Sequence, residues 1–164
     1  MEIKLSLALP RDEFSVPVAR NVLAGSLRLL GVHEDAIHDI ELALTEAATN
    51  VLDHAASTDE YEVSAGIHGN LCVIEVIDRG SGFDSSVVGH GEADDAAEDG
   101  RGIQLMRALV DRVTFTSRPQ VGTVVHLEKE FECAEGSTLE RLSVAASPNG
   151  PWSRQDGTKD LEPS

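Results

Sequence analysis

The sequence lacks both the long apolar run of a transmembrane helix and the basic start of a secretion signal. Cysteine is scarce, because only Cys72 and Cys133 are present. Neither belongs to a CxxC pair or to a Cys/His spacing suited to zinc. We therefore predict a cytoplasmic protein without a membrane span, a disulfide framework or a zinc site.

Positive charge is also scarce in this chain. Lysine and arginine together number 13 against 29 aspartates and glutamates, which gives a formal net charge of −16. Nucleic acid phosphates and anionic lipids would repel such a protein, so we expect no direct nucleic-acid partner and no membrane partner. The acidity favours a protein partner with a basic patch, although it also serves solubility alone.

The length of 164 residues suits one domain with one hydrophobic core. After residue 132 the apolar density falls, while serine, proline, glycine and charge increase. We predict a domain over residues 1–132 and a flexible C-terminal tail over residues 133–164. Within the tail, the capping-box pattern from Ser137 to Glu140 predicts a short helix that docks weakly.

Apolar periodicity predicts the order of the elements. Alternation over residues 2–9 predicts a strand, and helical spacing predicts a helix capped by Ser15 that stops at Gly31. The remaining predicted elements are a helix over 34–55, a hairpin of strands 61–67 and 71–78, a helix over 102–111, and strands 112–117 and 121–131. This order predicts an α+β fold, a two-layer sandwich with a mostly antiparallel sheet covered on one face by helices.

Glu46 and Asn50 lie four residues apart on the second predicted helix and therefore share one face. Such a pair is by default a solvated stripe. In a nucleotide site, however, the Asn50 oxygen suits Mg²⁺, and Glu46 would then be near the γ-phosphate as a general base.

Three glycine clusters follow downstream, and the phosphate loop GxxxxGK[ST] is absent. Gly100-Arg101-Gly102 opens a predicted helix whose backbone amides can hold phosphates, with Arg101 adding positive charge. Asp78 ends a strand and can accept a hydrogen bond from the exocyclic amine of adenine, while Gly80 and Gly82 leave room for the ring. Thr123, after Gly122, can support the base through its hydroxyl. Each cluster taken alone is also compatible with an ordinary turn, helix cap or strand.

Residues 84–99, which are rich in carboxylates and lack lysine and arginine, predict a mobile acidic lid.

Together these motifs resemble the GHKL (histidine kinase-like) ATPase superfamily, and within it the bacterial anti-sigma factors that are also serine/threonine protein kinases. The resemblance covers residues 3–131. Its motifs are Glu46 to Asn50 with Asp53 and His54, Asp78 to Phe83, Gly100 to Met106, and Gly122-Thr123.

The resemblance implies ATP and Mg²⁺ as cofactors and Glu46 as the catalytic residue. It implies Asn50 as the metal ligand and, as nucleotide-binding residues, Asn50, Asp78, Gly80, Gly82, Gly100, Arg101, Gly102 and Thr123. The implied partner is a STAS-domain anti-sigma-factor antagonist, phosphorylated on serine or threonine, with a sigma factor as a second partner.

Arg20 lies on the first helix at the place where an arginine of the resembling family contacts the protein partner. Arg28, eight residues later, lies on nearly the same face, so we expect this helix to be a partner or homodimer surface. Two further hypotheses stay open: a non-catalytic ATP-binding adaptor that sequesters a sigma factor or another regulator, and a free-standing ATPase module.

Overall fold

The computed structural model describes residues 1–54, 60–78, 99–118 and 122–148. The elements within these ranges are β1 (Glu2–Pro10), α1 (Ser15–Leu30), α2 (Glu34–His54), β2 (Glu60–His68), β3 (Leu71–Asp78), α3 (Asp99–Leu109), β4 (Arg112–Arg118), β5 (Gly122–Glu130) and α4 (Thr138–Ala145). The predicted order is confirmed. The main difference is that α3 begins at Asp99, so the glycines at 100 and 102 lie within its first turn and do not precede it.

The five described strands form one sheet in the order β1-β2-β3-β5-β4, and each neighbouring pair is antiparallel. Burial alternates along β3, where every second residue faces the helices. The predicted α+β sandwich, with its antiparallel sheet covered on one face, is confirmed.

The central helix of the helical layer is α2, which packs against α1, α3 and strands β3 and β5. Its small residues Ala43, Ala47 and Ala48 are fully buried and permit close approach, while larger side chains such as Ile40 and Leu44 fill the core. Burying each such large side chain contributes about 1.5–3 kcal/mol to the stability of the fold. This packing makes α2 a rigid platform. None of the helices in the described ranges is long and apolar enough to span a membrane.

The two ends of α1 differ in how well the sequence predicted them. Gly31 adopts the left-handed conformation (φ 86°) and ends the helix as predicted. The predicted cap at Ser15 is wrong: the N-cap position is Phe14, whose backbone N–H donates to Oδ1 of Asp12 at 2.8 Å. Ser15 is already helical, and its hydroxyl lies 2.7 Å from the Tyr61 hydroxyl. The Asp12 carboxylate closes the preceding turn, but no side chain caps α1. The Ser15 hydroxyl cannot cap the helix because it is engaged by the Asp12 carbonyl and by Tyr61 on β2.

Within residues 133–148, a few residues pack against the core. Cys133 forms an isolated bridge with Val32, and Leu139 on α4 is buried. The predicted capping-box helix is present as α4, because the Ser137 hydroxyl accepts a hydrogen bond from the Glu140 backbone at 3.3 Å. Residues 149–164 lie outside the described ranges, and the boundary between domain and flexible tail stays a prediction.

Candidate nucleotide site

Helices α2 and α3 bring together three of the predicted site residues. Glu46 and Asn50, both half-buried, lie on the face of α2 that meets the first turn of α3. A Cβ atom built on Gly102 would lie 2.8 Å from Oε2 of Glu46 and 3.6 Å from Oδ1 of Asn50. Any side chain at residue 102 would displace the Glu46 carboxylate, so glycine is needed here for space.

The first turn of α3 carries the rest of the predicted phosphate-binding segment. Arg101 is exposed, and a Cβ atom on Gly100 would meet nothing within 4 Å. The first backbone N–H groups of an α-helix have no intrahelical acceptor, and the helix dipole favours an anion beside them. The segment thus has the chemistry of a phosphate site next to Glu46 and Asn50.

Asp78 and Thr123 are directly opposite each other in the pairing of β3 with β5. Opposite residues of an antiparallel pair project from the same face, so both point towards the helical layer. Asp78 is only 2% exposed. Gly122, which precedes Thr123, has a φ of 104°, a conformation that favours glycine.

Arg11 is a site neighbour that the sequence interpretation missed. It follows β1, and its Nη2 lies 3.7 Å from Oδ2 of Asp78. The same guanidinium donates a hydrogen bond to the backbone carbonyl of Val51, the residue after Asn50 on α2. The only sequence signal was a cation between a strand and a helix in a chain poor in cations, and that signal does not reveal which carboxylate it meets.

Gly80, Gly82 and the predicted lid, apart from Asp99, lie outside the described residues. The nucleotide roles assigned to the site residues, in the described ranges and beyond them, stay predictions.

Comparison with known proteins decides the family. A family model described as "Histidine kinase-like ATPase domain" matches residues 9–129. The chain belongs to this family. The matched range contains Arg11, Glu46, Asn50, Asp78 and the first turn of α3, so the family assignment covers the whole candidate site.

Two proteins similar to this chain carry the name serine-protein kinase RsbW. The Bacillus licheniformis protein is 30% identical over 153 residues, which is 85% of this chain and 95% of the relative. The Oceanobacillus iheyensis protein is 29% identical over 136 residues, covering 76% of this chain and 85% of the relative. The family predicted from the motifs is confirmed.

The fold is also similar to a crystal structure of the RsbU and RsbW domains of Rv1364c from Mycobacterium tuberculosis. The TM-score is 0.61 at 22% sequence identity, and the match covers 79% of this chain but 32% of that chain. The present chain therefore corresponds to about a third of that protein, and the likeness supports the histidine kinase-like fold.

On this histidine kinase-like domain, α1 presents an exposed apolar stripe opposite its buried face. Phe14 is 75% exposed and Leu29 79%, and Val18 and Val22 lie between them at helical spacing. Arg20 is partly exposed on the same helix. Arg28 is engaged within the chain, since its Nε lies 2.7 Å from Oε1 of Glu34. Exposed apolar stripes of this kind are typical of protein interaction surfaces.

Proposed function

We propose that this chain is an Mg·ATP-dependent protein serine/threonine kinase that acts as an anti-sigma factor-like regulator. Its substrate would be a serine or threonine of a STAS-type anti-sigma-factor antagonist, and its site of action the cytoplasm. The family membership and the serine-protein kinase relatives support this proposal. The observation that carries it is the carboxylate of Glu46 held beside Asn50 and the first turn of α3.

The residues present fit Mg·ATP. Gly102, in the first turn of α3, lies so close to the Glu46 carboxylate and the Asn50 carboxamide oxygen that a Cβ atom would come within 2.8 Å and 3.6 Å of them. Asn50 would hold the metal, because Mg²⁺ prefers oxygen ligands and keeps several waters. When bound, the Mg²⁺ ion would neutralise part of the negative charge of the phosphates. The α3 segment 100–102 would hold the phosphates, and Asp78 with Thr123 would hold the adenine.

In this mechanism Glu46 is the general base. It would take the proton of the acceptor hydroxyl as the hydroxyl oxygen bonds to the γ-phosphorus and the bond from that phosphorus to the ADP oxygen breaks. ADP leaves, and the acceptor residue carries the phosphoryl group. The buried alanines beside Glu46 hold α2 in place, which keeps the carboxylate positioned for this step.

A non-catalytic adaptor is the second candidate function, and the exposed stripe of α1 favours it because partner binding needs no base. The two candidates differ in whether the protein needs Glu46 as a general base. A purely binding protein would capture a sigma factor or another regulator in an ATP-dependent way and transfer no phosphoryl group.

Glu46→Gln separates the two candidates because it keeps the side-chain shape and removes the basicity. We expect nearly unchanged Mg·ATP binding by calorimetry and a decrease in transfer of labelled phosphate to a STAS-domain partner of roughly 10²- to 10⁴-fold. Asp35→Asn, the matching change at an exposed position of α2, is the control. If wild-type protein binds a partner but phosphorylates none, the kinase proposal fails and the adaptor replaces it.

Arg20 is the proposed partner-binding residue. Arg20→Glu should lower capture of the STAS-domain or sigma-factor partner by at least about tenfold, since a charge reversal at an interface introduces repulsion. ATP affinity should not change. Arg141→Glu, an exposed charge reversal on α4, is the control. Undiminished capture by the Arg20 variant in a pull-down would remove α1 from the interface.

A further inference from the structure

Arg11 lies in a turn that the backbone holds in place. The Asp12 backbone N–H donates to the Pro10 carbonyl at 2.9 Å, and the Ser15 backbone N–H donates to the Asp12 carbonyl at 2.9 Å. The turn therefore fixes the Cα position of Arg11 between β1 and α1. Its side chain is only 13% exposed, so the guanidinium reaches inward.

The guanidinium connects two parts of the candidate site. It hydrogen-bonds the Val51 carbonyl, which lies in the last turn of α2, where carbonyls have no intrahelical donor and positive charge is favoured. It also lies 3.7 Å from Oδ2 of Asp78 at the end of β3. Arg11 thus connects the helical turn that follows Asn50 with the carboxylate assigned to adenine.

Burial makes this contact important for Asp78. The side chain of Asp78 is only 3% exposed, and a carboxylate removed from water needs compensating charge or hydrogen bonds. A guanidinium has several donors in a fixed plane and no acceptor, so it orients a carboxylate and cannot compete for the proton of an adenine amine. An ionised carboxylate has about four lone-pair sites on its two oxygens, so Asp78 can face Arg11 and still accept a hydrogen bond from the base.

We propose that Arg11 is a positioning residue for adenine specificity: it holds Asp78 as an oriented hydrogen-bond acceptor for the exocyclic amine of the base. This inference rests on the proposed function, in which Asp78 binds adenine. Arg11 itself does not contact the nucleotide. Its effect on binding passes through Asp78 and therefore depends on whether the base carries an amine.

The experiment compares ATP with purine riboside triphosphate, which has the same phosphates and sugar but no exocyclic amine. For wild-type protein with Mg²⁺, calorimetry should give an ATP affinity at least about tenfold higher, as expected for a hydrogen bond to a charged group. Arg11→Met should reduce this ratio to nearly one while the affinity for purine riboside triphosphate stays close to that of wild type. Arg11→Lys, which keeps the charge, should restore part of the ratio.

Arg112→Met is the matched control, because Arg112 also lies 3.7 Å from a carboxylate, that of Glu128, but on an exposed strand. It should leave the ratio unchanged.

A wild-type ratio of the two affinities in Arg11→Met, or an equal loss of affinity for both nucleotides, would overturn the positioning role and leave the proposed function intact. A wild-type ratio of one would instead reject the adenine assignment of Asp78. If Arg11→Met does not fold, Arg11→Lys decides, since a full wild-type ratio there would contradict the proposal.

Discussion

The antiparallel pair α2 and α3 has two ends that differ in what fills the space between the helices. At the open end, Glu46 and Asn50 face Gly102, which contributes no side chain. At the closed end, Nζ of Lys129 lies 2.9 Å from Oδ2 of Asp39 and donates to the Leu109 carbonyl at 2.8 Å. One end has a carboxylate packed against a residue without a side chain, and the other has a carboxylate bound by a cation.

The difference separates a structural role from a functional one on the same helix. Lys129 satisfies both a side chain of α2 and a carbonyl in the last turn of α3, which clamps the two helices. The open end needs the opposite, because a side chain between the helices would occupy the place proposed for phosphate and metal. We therefore expect the closed end to help maintain the spacing of the two helices.

Gly102→Ala should produce the largest effect, because it gives the open end a side chain. The new methyl group would lie 2.8 Å from Oε2 of Glu46 and would displace the flexible end of that side chain. We expect phosphoryl transfer to fall by roughly 10²-fold, as for a misplaced catalytic group. The free energy of unfolding should stay the same or rise by up to about 1 kcal/mol, because alanine favours helix over glycine.

Gly25→Ala is the control for the gain in helix propensity, since a Cβ atom there meets nothing within 4 Å. Wild-type transfer by the Gly102 variant would show that the open end tolerates a side chain, and the distinction between the two ends would lose its functional meaning.

Lys129→Met tests the closed end and should have an intermediate effect. The lysine is 18% exposed, and its loss leaves Asp39 and the Leu109 carbonyl without this donor. We expect urea denaturation to show a loss of about 1–3 kcal/mol in the free energy of unfolding. Lys4→Met, on the exposed side of edge strand β1, should change it little. Equal stability of the Lys129 and Lys4 variants would argue against a clamp.

His126→Gln should have the smallest effect on the free energy of unfolding. His126 forms a cluster with Glu75 and Glu128 on the sheet face away from the helices. Burial lowers the pKa of His126, but hydrogen bonds and Coulombic attraction from Glu128 and Glu75 outweigh it, and the net pKa is raised above 6.5. A raised pKa means that the stabilisation is present below 6.5 and is lost as the pH rises through the folded-state pKa.

Urea denaturation should therefore show a larger difference between wild type and His126→Gln at about pH 6 than at about pH 9, by less than about 1 kcal/mol. A difference that grows with pH would contradict the sign of this pKa change.

Short-range pattern was sufficient for most of the fold. The stripe of Glu46 and Asn50 follows from helical geometry alone, and the burial of Asp78 follows from alternation along β3. The hairpin of β2 and β3 was predictable because Gly69, with a φ of 61°, joins adjacent strands. The predicted cap at Ser15 was wrong because α1 starts at Ser15 itself, and its hydroxyl meets Tyr61, a partner 46 residues away that local pattern does not reveal.

The sequence by itself determined the element order, the faces that become buried, and the motif residues that place the chain among histidine kinase-like ATPases. Only the tertiary structure decided that Gly102 meets Glu46, that Lys129 bridges Asp39 to α3, and that Arg11 reaches Asp78. The physical reason is that periodicity reports which face of an element avoids water. It carries no information on which distant residue will meet that face, because the packing of the whole chain selects the partner.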